Sequence, residues 1–212
     1  MTILRLTRAT FLEGTQALRE RDPELRGWID RVGAVGLRRQ RHQFSALCRS
    51  IISQQLGAGA AKSIHRRFAA LFAPEERPEP SRLLALHARR LRACGLSRPK
   101  VAYLRGLARE FEKGSLAGVR LSSLPDAEVI EVLTQVRGIG PWTAEMFLIF
   151  SLGRLDVFSV RDLALRTAVA RVAGRELSAA EVEEVARGWS PYRSVASLYL
   201  WKVAHWEEER GR

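Results

Sequence analysis

An all-α fold is predicted by three features of the sequence. Apolar residues recur at helical spacing along most of the chain, the alternation that a half-buried strand requires is scarce, and Gly- or Pro-containing breaks cut the periodic stretches into segments of ordinary helix length. The 212 residues are 46% hydrophobic, which is enough to bury a core in one domain or in two small lobes.

The elements follow in order. Phe44, Leu47, Cys48, Ile51 and Ile52 form a helical stripe that ends at the glycines of residues 57–59. Ala61, Ile64, Phe68, Leu71 and Phe72 form the next, stopped by the prolines of residues 74–80, and Val101, Leu104, Leu107 and Phe111 a third between breaks at 95–99 and 114–118. Pro125 and Asp126 open a helix carrying Val129, Val132, Leu133 and Val136. Residues 163–172 read as another helix. Ser178 with Glu181 three residues on is a capping-box pattern ahead of Val182, Val185 and Trp189. There is no internal repeat and no low-complexity linker.

Charge narrows the function. Lys plus Arg number 35 against 23 Asp plus Glu, a formal net charge of +12, and this excess of bases over acids points to a polyanionic partner, with nucleic acid ahead of a membrane surface. Lysines stand only at Lys62, Lys100, Lys113 and Lys202, so the basicity is carried by arginine. No run approaches the roughly 20 apolar residues of a membrane span, and the first ten residues lack an apolar signal core, so a cytoplasmic protein is expected. Cys48 and Cys94 are too few for a disulfide framework or a four-thiolate cluster and are expected in the core. His42, His65, His87 and His205 show no metal-ligand spacing, and no catalytic metal is expected.

The most informative stretch is residues 132–165, VLTQVRGIGPWTAEMFLIFSLGRLDVFSVRDLAL. An apolar helix runs into Arg137, Gly138, Ile139 and Gly140, and Pro141, suited to a first helical position, starts the next helix at once. This is a helix-hairpin-helix pattern. Its glycines let the backbone turn tightly and approach a phosphate, which the first amides of the second helix face. Such a contact grips DNA without reading sequence.

With this hairpin and an aspartate beyond its second helix, the chain resembles the helix-hairpin-helix (HhH-GPD) superfamily of base-excision DNA glycosylases over about residues 42–206. The resemblance implies a two-lobed helical fold with the active-site cleft between lobes: a middle lobe of residues 43–154 with the wedge loop and hairpin, and a second lobe of residues 1–42 plus 155–212 carrying the catalytic acid. Compared with the fuller bacterial enzymes, it also implies the lack of a separate N-terminal sheet domain. The family register places the acid at Asp162, with Asp156 as rival. A carboxylate suits the chemistry, because positive charge builds on the deoxyribose as the base departs. The sequence is also compatible with Asp162 as a plain N-cap for the following helix; the two roles are not exclusive, and the resemblance favours catalysis.

Where strand-cleaving members carry a Schiff-base lysine, this chain has Trp142, so the amine nucleophile is missing and a water-using, monofunctional mechanism is implied. The C-terminal cysteines of the iron–sulfur branches are absent. Trp142 followed by Met146 resembles the 3-methyladenine DNA glycosylase II type, in which an indole face attracts a cationic methylated purine. Tyr192, within Trp189-Ser190-Pro191-Tyr192-Arg193-Ser194, aligns with that group's second aromatic wall, while Trp189 reads as core; the alternative is that Trp142, Trp189 and Tyr192 are all plain packing. The segment Ile51-Ile52-Ser53-Gln54-Gln55-Leu56-Gly57 resembles the wedge loop that fills the stack when a base is rotated out, with Gln55 as wedge, Leu56 as its neighbour and rival, and Gln54 as support. The carbonyls of Thr134, Val136 and Ile139 are implied ligands of a monovalent cation bridging to phosphate; no other cofactor is implied.

The expectation is therefore a monomeric glycosylase acting on double-stranded DNA that contains a damaged base. It hydrolyses the N-glycosidic bond of 3-methyladenine- and 7-methylguanine-class lesions and leaves an abasic site. Two rivals stand beside it: a non-catalytic hairpin module, which would bind DNA without needing Asp162, and a glycosylase for deaminated, oxidised or mispaired bases.

Overall fold

The computed structural model describes residues 3–36, 39–40 and 42–206. Among them are twelve α-helices: α1 (Arg8–Arg21), α2 (Pro23–Val32), α3 (Gln43–Ser53), α4 (Ala58–Ala70), α5 (Pro80–Ala85), α6 (Ala88–Ala93), α7 (Arg98–Lys113), α8 (Asp126–Thr134), α9 (Pro141–Phe147), α10 (Leu163–Ala173), α11 (Ala179–Arg187) and α12 (Arg193–Ala204). The all-α fold predicted from periodicity is what forms, and the only extended pairing among the described residues is an isolated bridge between Arg5 and Arg154. No helix among them is long and apolar enough to cross a membrane.

The chain packs as two compact units, Gln40–Phe147 and Met1–Arg39 with Leu148–Arg212. The division falls inside the apolar run that follows the hairpin rather than at Arg154. In that run the α-helix lasts only through Phe147 and continues as a π-helical turn, Leu148–Leu152, before Gly153 ends it.

The Gln40–Phe147 unit is built on α3 and α7. Phe44, Leu47, Ile51 and Ile52 of α3 and Leu104 and Leu107 of α7 are buried, as are Cys48 and Cys94, each large apolar side chain contributing about 1.5–3 kcal/mol. Phe44 meets Phe111 edge-on at 5.3 Å between ring centroids. Ser97 caps α7 by accepting the Lys100 amide, with Pro99 in the first turn, where a missing N–H costs nothing.

The second unit interleaves the two chain ends. Leu18 of α1, Leu25 and Ile29 of α2, Leu165 and Val169 of α10, Val182 of α11 and Val195, Leu200 and Val203 of α12 share one core. The N-terminal segment is tied to the segment after the π turn by Leu6 N–H to Gly153 O at 2.6 Å and Leu155 N–H to Leu4 O at 3.2 Å. Arg39 donates to the carbonyls of Ser151 and Leu152, and the capping box read at Ser178 and Glu181 forms as expected.

Candidate active site

In the Gln40–Phe147 unit, α8 ends at Thr134 and the chain turns through residues 135–140 before Pro141 opens α9. Val136 N–H bonds Leu133 O and Ile139 N–H bonds Val136 O, so the turn is held by its own backbone. Gly138 has φ +95°, and a Cβ there would stand 2.5 Å from the ring of Tyr103. Both facts require glycine: a side chain would be strained and would strike α7. Ile139 is buried and anchors the turn, whereas Arg137 is exposed with its guanidinium 6.0 Å from the Tyr103 ring centroid. At Gly140 a Cβ would meet nothing within 4 Å.

The wedge-loop candidates follow α3. Gln54 closes that helix, and its side-chain amide donates to Gly138 O at 2.9 Å, joining the loop to the hairpin. Gln55 is exposed and left-handed, with φ +56°, an uncommon conformation for a residue with a side chain. Leu56 beside it is also exposed. Sequence reasoning missed what holds this loop from below. Lys100 Nζ donates to Ile52 O at 2.7 Å and Gln54 O at 2.6 Å, and Ser53 Oγ hydrogen-bonds His65 Nε2 at 2.9 Å. Burial, with help from nearby Arg49 and Lys100, pushes His65 down to about 4, so its imidazole is neutral at physiological pH. A lysine whose partners are backbone carbonyls leaves no side-chain pattern to find, although the scarcity of lysine in this chain was a usable signal.

Trp142 follows Pro141 in the first turn of α9 and is 39% exposed, an unusual state for the largest side chain in the protein. Met146, one turn on, is buried.

Asp162 belongs to the other unit. It is the N-cap of α10, with its carboxylate Oδ1 accepting the Leu165 amide at 3.0 Å, and its residue is only 8% exposed. Its rival Asp156 is differently engaged. Arg193 Nε donates to Asp156 Oδ1 at 2.7 Å and Arg193 Nη2 to Oδ2 at 3.0 Å, while Ser190 Oγ donates to Oδ2 at 2.8 Å. Burial pushes the Asp156 carboxyl up, but the hydrogen bonds from Arg193 and Ser190 outweigh it and hold the group below its ordinary value. Asp156 thus fastens the segment before Asp162 to the start of α12, reinforced by Ser194, whose buried hydroxyl accepts the Val157 amide at 3.0 Å.

Trp189 is core, 2% exposed, and its indole donates to Asp22 Oδ2 at 2.8 Å. Tyr192 is buried too. Its hydroxyl donates to Glu13 Oε1 at 2.7 Å, and its ring lies against Gly14, where a Cβ would come within 2.7 Å of it. The bond to Glu13 raises the Tyr192 phenol above its ordinary value. These are the surroundings of a packed aromatic.

A tight Gly-x-Gly hairpin, an exposed indole just after it, an exposed left-handed residue after α3 and a buried aspartate capping a later helix describe a base-excision repair protein. The model of the HhH-GPD superfamily of base excision DNA repair proteins matches residues 48–191, and the chain belongs to that family. It is 33% identical over 172 residues to DNA-3-methyladenine glycosylase 1 of Schizosaccharomyces pombe, covering 78% of this chain and 74% of that one. Among solved structures it is similar to a DNA-3-methyladenine glycosidase from Bacillus halodurans, with TM-score 0.81 and 35% identity over 99% of this chain and 95% of that one. A Schizosaccharomyces pombe 3-methyladenine DNA glycosylase in complex with abasic DNA gives TM-score 0.81 and 30% identity over 90% and 95% of the two chains.

Proposed function

We propose that this chain is a monofunctional DNA glycosylase that rotates an alkylated base out of duplex DNA and hydrolyses its N-glycosidic bond. The observation that carries the proposal is the buried Asp162 at the start of α10, in a chain that also holds the hairpin. Its relatives are named for 3-methyladenine, and one was solved with abasic DNA, the kind of product such a reaction leaves.

Each residue has a task in this reading. The Arg137-Gly138-Ile139-Gly140 turn brings backbone amides to a phosphate, and because Gly140 carries no side chain nothing stands between that backbone and the strand. Gln55, with Leu56 beside it, enters the stack as the target nucleotide leaves, and Gln54 braces the loop. The Trp142 face takes the extruded base, and its attraction is strongest for a ring made cationic by methylation. Met146, one turn further along α9, is buried and is assigned to the same pocket. Methylation also weakens the glycosidic bond, so departure needs little acid catalysis. Asp162 then stabilises the oxocarbenium character of the sugar and orients the attacking water. With Trp142 where a lysine would be needed, no Schiff base forms and the strand stays uncut. Tyr192, committed to Glu13 and Gly14, supports the site's scaffold rather than lining the pocket.

The protein works as a monomer on double-stranded DNA without a redox cofactor or divalent metal. Thr134, Val136 and Ile139 offer carbonyls from one short turn; the Val136 carbonyl already accepts one amide, but a carbonyl has a second lone pair. A monovalent cation there would add positive charge beside the phosphate.

The test is to incubate dimethyl-sulfate-treated duplex with wild type and with Asp162→Asn and to identify released bases by mass spectrometry. Methylpurine release by wild type alone, with nicks appearing only after alkali, is expected. Tight duplex binding with no base released would overturn the proposal in favour of a binding module.

A further inference from the structure

Lys100 lies in the first turn of α7, yet its side chain serves another element. Its ammonium donates to Ile52 O and Gln54 O, at the end of α3. A helix C-terminus leaves carbonyls without amide partners and concentrates the negative end of the backbone dipole. Here the chain departs abruptly: Gln54 takes ψ 130° and Gln55 φ +56°, while the Leu56 amide turns back to Ser53 O at 3.2 Å. The Ile52 and Gln54 carbonyls are therefore met by a cation. An ammonium with three donors on a flexible stem satisfies two such acceptors at once.

The residue between this anchor and the loop tip is Gln54, whose carbonyl is held by Lys100 and whose side-chain amide is held by Gly138 O. Gln55 follows directly, in a conformation that persists only when its surroundings enforce it. A side chain driven into a base stack pushes back on the loop that carries it, and a loop free to relax would withdraw.

We infer that Lys100 is a positioning residue for strand opening: it locks the end of α3 so that Gln55 is presented to the duplex as a rigid wedge. The inference rests on the proposed glycosylase reading, and it separates base extrusion from bond cleavage. Loss of Lys100 slows the first and leaves the second intact.

The experiment compares wild type, Lys100→Met and Lys100→Arg by single-turnover release of a methylpurine from a fully paired duplex and from the same strand unpaired. In parallel, 2-aminopurine fluorescence is read in a duplex with the fluorophore next to a stable abasic-site analogue. Lys100→Met is expected to slow release from the paired duplex by about tenfold to a hundredfold, the effect of losing charge-assisted hydrogen bonds. Release from the unpaired strand should stay within about twofold, a small fraction of the loss on the paired duplex. The 2-aminopurine enhancement should fall, and Lys100→Arg, which keeps the charge and two donors, should recover part of both. Equal losses on paired and unpaired strands would overturn the inference and make Lys100 a general fold contact, as would an unchanged paired rate. Should wild type release no base from either substrate, the glycosylase reading fails, and the fluorescence alone decides: a drop in Lys100→Met supports the wedge anchor, and no drop overturns it.

Discussion

The side-chain amide of Gln54 reaches the carbonyl of Gly138 at 2.9 Å, so the loop after α3 and the turn before α9 are fastened to each other by one hydrogen bond. Removing the amide in Gln54→Ala should cost about 0.5–1.5 kcal/mol in denaturant unfolding. The other end of the bond tolerates less. Gly138→Ala puts a methyl 2.5 Å from the Tyr103 ring at a positive φ; it should lower stability by about 2 kcal/mol or more and weaken binding to undamaged duplex in a fluorescence-anisotropy titration.

Asp162 both caps α10 and is proposed to stabilise the departing sugar, and two substitutions separate these tasks. Asn caps as well as Asp, so Asp162→Asn should unfold within about 0.5 kcal/mol of wild type, while Asp162→Ala should lose about 1 kcal/mol. Methylpurine release should fall by about a hundredfold or more in both. Equal activity in Asn and wild type would remove Asp162 from the chemistry.

Because Trp142 is 39% exposed, its truncation should cost less than the about 3–5 kcal/mol lost when a fully buried aromatic is cut back to Ala. Trp142→Ala should nonetheless slow the excision of cationic 3-methyladenine and 7-methylguanine more than that of neutral lesions, since an indole face adds about 0.5–2 kcal/mol for a cation. Uniform slowing across charged and neutral bases would leave only a packing role.

His65 titrates at about 4 in the folded protein and near 6.5 in an unfolded chain. The unfolded state therefore binds the extra proton between these values, so stability from His65 is complete above about 6.5 and is lost as pH falls toward 4. Thermal midpoints measured across that window should rise with pH in wild type and rise less steeply in His65→Gln.

Tyr192→Phe removes the hydroxyl bonded to Glu13 while leaving the ring against Gly14. A loss of about 0.5–1.5 kcal/mol is expected, because Glu13 is exposed and solvent screens the bond, with the range of excised lesions unchanged. A changed lesion range would return Tyr192 to the pocket wall.

What the sequence revealed depended on backbone chemistry. Gly138 and Pro141 are legible because their types follow from turn geometry, and Ser178 with Glu181 because a cap is a local device. The helix α12 was not separately identified: Ser194 through Leu200 are all buried, so no polar face marks its period. The same uniform burial hid the change from α to π winding at Leu148. Lys100 was missed because its partners are carbonyls 46 and 48 residues earlier in the chain, which carry no residue identity. Tyr192 was read from its neighbours in sequence, while Glu13 and Gly14, which surround it, lie at the far end of the chain.

The interleaved chain also sets an order of assembly. Compact units fold as they leave the ribosome, and Gln40–Phe147 is continuous, so every residue it needs exists once Phe147 has been joined. Its partner unit must wait for α12, which supplies Val195, Leu200 and Val203 to the core shared with Leu18 and Leu25. During synthesis the half bearing the hairpin and the loop after α3 is complete first, and the carboxylate of Asp162 gains its folded surroundings last.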